Sequence, residues 1–136
     1  MASLSTIGIW VLRLLAAIIL LQTLYFKFSA APESIYVFTR LGIEPWGRIG
    51  VGVLELIAGI LILVPATTLF GSLFAIALMA GAIFFHLTKL GITVQNDGGQ
   101  LFIYALLVLA SSTALVIIYR GDLVTVKKIL AKIITI

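Results

Sequence analysis

Arg13, Glu55 and His86 are the titratable residues set well inside long apolar runs of this chain. Each type has its own chemistry there. A guanidinium is always charged and holds negative charge through a rigid fork of donors. A histidine titrates near neutral pH, and a desolvated carboxylate is raised toward it, so Glu55 and His86 are candidates for moving protons. Two further groups stand at the ends of the runs: Lys27, after Phe26, and Tyr104. One histidine and one deep carboxylate cannot supply the four ligands of a structural metal site, so no metal centre is expected.

The elements that must position these groups are membrane helices. Apolar residues make up 62% of the chain and charged residues 10%, against roughly 45–50% and 25% in soluble domains. Four runs are close to the roughly 20 residues that cross a bilayer, at about 4–28, 48–64, 69–90 and 101–119. The fold expected is an all-α integral membrane four-helix bundle, one domain over 1–120. The stretch between the first two spans holds Pro32, Glu33, Arg40, Gly42, Glu44 and Pro45 and is too polar to cross. Ile35, Tyr36, Phe38 and Leu41 have helical spacing, which predicts a short interfacial helix. Asn96-Asp97-Gly98-Gly99 is a strong turn signal before the fourth span. Residues 121–136 put Leu123, Val126, Ile129, Leu130, Ile133 and Ile134 on one helical face and Lys127, Lys128 and Lys132 on the other. That pattern predicts an amphipathic basic tail lying on the membrane.

The run at 4–28 lacks a positive leading segment and exceeds the usual signal length, so it reads as a retained helix, with cleavage after 29–31 as the alternative. There is no cysteine, which excludes thiol chemistry by this chain alone. The net charge of +4 in so apolar a chain points to lipid head groups as the partner, and no nucleic-acid motif is present. The two sides of the membrane tie in basic residues. A basic tail favours the anionic cytoplasmic leaflet, so both termini are placed in the cytoplasm.

With the helices antiparallel, Arg13 lies about 20 Å and Glu55 about 10 Å below the outer end of the bundle. That gap is within the combined reach of the two side chains, so a contact between them is expected. Lys27, 14 residues beyond Arg13, returns to within about 40° of its face. Arg13, Lys27, Glu55, His86 and Tyr104 can therefore line one pocket on the outer side. Gln22 faces away from Arg13 and is left out. Each residue also has a plainer role: Arg13 and Glu55 as a structural ion pair, His86 as a packed histidine, Lys27 reaching the head groups, Tyr104 as an interfacial aromatic.

An arginine early in the first helix, Phe26-Lys27 at its end, Glu55 with Gly59 in the second, His86 late in the third, and the loop LGIEPW around Gly42–Pro45 together resemble the DoxX family. The resemblance covers roughly 12–119 and leaves out the tail. It departs from the family pattern at Leu24-Tyr25, where a glycine usually precedes the lysine. The resemblance implies a four-helix protein of a bacterial or archaeal inner membrane, linked to redox systems. The family name is shared with a subunit of a thiosulfate:quinone oxidoreductase. The function expected is an accessory subunit binding a quinone or small anion. No cofactor is expected in the chain itself, a bound quinone being the candidate, with a redox partner subunit or homo-oligomer as partner. The alternatives are a small-molecule or lipid binding or transport protein without catalysis, and a structural scaffold.

Overall fold

The computed structural model describes residues 4–134, with backbone only at residues 4 and 122–130. Five helices follow in order: α1 (Leu4–Phe28), α2 (Pro32–Arg40), α3 (Trp46–Leu63), α4 (Thr68–Phe85) and α5 (Gln100–Ile134). No strand occurs among the described residues. Four helical stretches are long and apolar enough to span a bilayer: Ser5–Phe28, Trp46–Leu63, Pro65–Leu90 and Gln100–Gly121. The chain is a multi-pass membrane protein. The spans α1, α3, α4 and α5 form a closed ring, α1 packing on α3, α3 on α4, α4 on α5 and α5 back on α1. We call the end where α1 finishes and α3 begins the upper end.

Small residues set the closeness of the packing. Ala16, Ala17, Ala58 and Ala75 are fully buried, with Leu20, Ile62, Val108 and Leu115 filling the centre. At Gly71 a Cβ would lie 2.6 Å from the Ile62 backbone nitrogen, so only glycine allows α4 this near α3. The outward surface is Leu, Ile, Val and Phe, among them Val11, Ile18, Ile60 and Ile117. In water this would be a liability, whereas beside acyl chains it has no cost.

α2 is the interfacial helix expected from the spacing. Pro32 opens it, where a missing N–H is tolerated, and Glu33 and Arg40 complement its dipole at the two ends. Phe38 is its buried anchor. A wide π turn, His86–Leu90, continues α4 and ends at Gly91, whose φ of 79° suits a glycine. The loop after it is fastened by Asp97. Its Oδ1 accepts from the Val94 and Gly99 N–H groups, and its Oδ2 accepts from the Leu101 N–H. Burial opposes its ionisation. The three backbone donors and nearby His86 outweigh that and hold its carboxyl below the usual carboxylate value. α5 runs unbroken through Gly121 for 35 residues. The side chains that would define the amphipathic tail lie mostly at 122–130, outside the described residues.

Two helix ends are closed by arginines from the neighbouring helix. Pro65 stops α3, which leaves its last carbonyls without N–H partners from the helix itself. Thr67 Oγ1 donates to Leu61 O (2.8 Å), Thr68 Oγ1 to Ile62 O (3.0 Å), and Arg13 Nε and Nη2 to Ile62 O (3.0 Å) and Leu63 O (2.5 Å). At the upper end Arg48 of α3 donates through Nη1 to the Lys27 carbonyl of α1, with Glu44 accepting from its Nε at 2.9 Å. Arg13 closes the end of α3 while Arg48 closes the end of α1.

Candidate functional site

Below α2, at the upper end of the ring, lies a cavity of about 600 Å³. Its apolar wall includes Ile19, Leu20, Met79, Ala105 and Val108. Phe26, Phe38, Phe85 and Tyr104 also line it. α2 and the loop at 91–99 contribute Glu33, Val37, Val94 and Asp97 to the lining. Arg40 Nη2 donates to the Lys89 carbonyl (3.2 Å) and ties α2 to the α4–α5 junction.

The central pair is Lys27–Glu55, Nζ to Oε2 at 3.0 Å, with side chains 11% and 7% exposed. Thr23 Oγ1 lies 3.1 Å from the same Oε2, its one hydroxyl proton shared with the Leu20 carbonyl at 2.8 Å. Both contacts fall on one oxygen, and Oε1 of Glu55 accepts nothing from the described residues. His86 is 3% exposed. Its Nδ1–H donates to the Gly91 carbonyl (2.9 Å), because a carbonyl can only accept. Its other nitrogen, Nε2, has no hydrogen-bond partner among the described residues. Phe102 meets the ring edge-on at 5.5 Å. Gln100 Nε2 donates to Tyr104 Oη at 2.8 Å.

Of the five residues expected at one site, the fold gathers Lys27, Glu55, His86 and Tyr104 around the cavity. Arg13 is a correction. It is not among the cavity residues and does not contact Glu55; it binds the Ile62 and Leu63 carbonyls and lies over the Trp10 ring at 3.8 Å. The reason is directional. Side chains tilt toward the N-terminus of their own helix. α1 and α3 are antiparallel, so Arg13 leans down and Glu55 leans up, and the two diverge. Lys27 leans down and Glu55 up, so those two converge. Reach alone does not decide such a contact.

Thr23 and Gln22 line the cavity and were missed. Thr23 stands four residues before Lys27, on the same face, which was a usable signal. Gln22 was set aside only because it faces away from Arg13, and Arg13 is elsewhere. The described residues contain no group of three or more His, Asp or Glu able to hold a metal.

The chain matches no curated protein and no solved structure. A model of the DoxX-like family matches residues 11–115, which include α1 from its third turn, α2, α3, α4 and α5 as far as Leu115. This is most of the chain and contains every residue around the cavity, and the chain belongs to the DoxX-like family.

Proposed function

We propose that this membrane protein binds one small, largely apolar molecule in the upper cavity. The observation that carries the reading is a cavity of about 600 Å³, apolar in most of its wall, with the buried Lys27–Glu55 pair and His86 set into it. Ligand sites usually span about 300–1,000 Å³ and combine such walls with a few fixed polar groups.

The redox version makes the molecule a quinone and the protein an accessory subunit. It rests on the family resemblance. Binding is therefore placed ahead of redox chemistry. We place the protein in a bacterial or archaeal inner membrane with both termini cytoplasmic. Supporting this, Lys27, Arg40 and Arg48 at the upper end are engaged by protein acceptors. A reporter fused after residue 136 should read cytoplasmic, and an external signal would invert the topology.

The test of binding is mass spectrometry of small molecules released from protein held in lipid nanodiscs. Gly81 lines the cavity, and a Cβ there meets nothing within 4 Å. Gly81→Phe should fill the space without disturbing the bundle. The molecule carried by the wild type should be missing from this variant. The same extract from both would reject the cavity as its site.

A further inference from the structure

We infer that the cavity takes an apolar body carrying a single positive charge and rejects the matching anion. The inference rests on the binding reading above and adds the sign of the ligand.

The charge of the lining decides the sign. Among the described residues, the cavity is lined by one permanent cation, Lys27, and by three carboxylates, Glu33, Glu55 and Asp97. The other cations of the upper half, Arg40, Arg48 and Lys89, are not among the lining residues. Arg48 is held by Glu44 and the Lys27 carbonyl, and Arg40 by the Lys89 carbonyl. Arg13, the group best suited to an anion, is at the lower end of α3. Lys27 is neutralised by Glu55, so a bound anion would have to displace a carboxylate at 3.0 Å.

The free hydrogen-bonding atoms agree. Glu55 Oε1 is an acceptor with no donor among the described residues. His86 gives its Nδ1 proton to Gly91, which leaves Nε2 of the neutral ring as an acceptor. Tyr104 and Gln22 are neutral and do not fix the sign. Phe26, Phe38, Phe85 and Tyr104 also line the cavity. Aromatic walls attract cations through their quadrupoles, more so when water is displaced. Free acceptors, a lining with more carboxylates than permanent cations, and aromatic rings together describe a site for an organic ammonium or a comparable delocalised cation.

The experiment uses three probes of nearly one shape: tetraphenylphosphonium, tetraphenylborate and neutral tetraphenylsilane. Each is equilibrated by dialysis with protein in nanodiscs, and uptake by empty nanodiscs of the same lipid is subtracted. The wild type should retain the cation at least about tenfold better than the anion, the ratio expected for one unit charge acting at several ångströms in a partly wet site. Lys27→Met leaves Glu55 unpaired and should tighten the cation. Glu55→Gln leaves Lys27 unpaired and should shift preference toward the anion. Opposite effects of the two variants cannot come from a shared loss of folding. Retention of the neutral probe equal to that of the cation, or preference for the anion, overturns the charge inference and leaves the binding reading standing. Failure of all three probes to exceed empty nanodiscs, in the wild type, overturns both.

Discussion

Two thermodynamic cycles through Glu55 distinguish a Lys27–Glu55 pair from an Arg13–Glu55 pair. The variants are Glu55→Gln, Lys27→Met, Arg13→Met and the two doubles containing Glu55→Gln. Removing one partner of a buried pair costs about 3–5 kcal/mol. The Lys27–Glu55 pair borders a cavity and is not fully enclosed, so the low end applies, about 3 kcal/mol for Glu55→Gln. Glutamine keeps a neutral acceptor for Lys27 and Thr23, so the coupling between the two sites should be about 1–2 kcal/mol. Arg13 contacts Ile62, seven residues and thus about 10 Å along α3 from Glu55. With no shared partner, Arg13→Met and Glu55→Gln should add within about 0.3–0.5 kcal/mol. The assay is reversible unfolding in bicelles, followed by tryptophan fluorescence. Coupling above about 1 kcal/mol between Arg13 and Glu55, or none between Lys27 and Glu55, would refute the directional account of the two side chains.

Arg13→Lys reaches one carbonyl where the guanidinium reaches two, and should cost about 1–2 kcal/mol in the same unfolding assay; an unchanged stability would mean the second contact contributes nothing. Gly71→Ala drives a methyl into the Ile62 backbone and should cost about 1–3 kcal/mol or more, while Gly50→Ala, which meets open space, should stay within about 0.5 kcal/mol. Equal effects would contradict the close approach of α3 and α4. Asp97 has a lowered folded value, so its contribution is present above its ordinary value of 3.8 and disappears as pH falls through the folded one. Wild-type melting temperature should therefore fall more than that of Asp97→Asn between about pH 5 and about pH 3. Parallel curves would remove the assigned role.

Much of the fold was legible because a membrane leaves few choices. Apolar runs of spanning length, Pro65 as a breaker and Asn96–Gly99 as a turn are strong local signals, and the bundle follows from them. The spacing of Ile35, Tyr36, Phe38 and Leu41 likewise marked α2. The site was harder because its partners are mostly not adjacent in sequence. Lys27, Glu55, His86 and Tyr104 could be named from depth alone. Arg13 could not be placed by depth, because its acceptors are backbone carbonyls that exist only where Pro65 ends α3. Matching the arginine to a carboxylate overlooked them. The length of α5 was also illegible, since one glycine at position 121 costs a helix only about 1 kcal/mol and does not stop it.

The exchange of arginines between α1 and α3 bears on how the chain enters the membrane. Until α3 and the turn at Pro65 are in place, Arg13 has none of the acceptors it finally uses. An arginine alone in hydrocarbon costs from about 2.5 to above 10 kcal/mol. The first span is therefore a poor passenger by itself, despite its 25 residues. It should leave the translocon late, together with the second span, and the two should enter lipid as a preassembled hairpin. A fusion that used residues 1–31 as a free-standing anchor would be held weakly, and one extended through Thr68 would be held well.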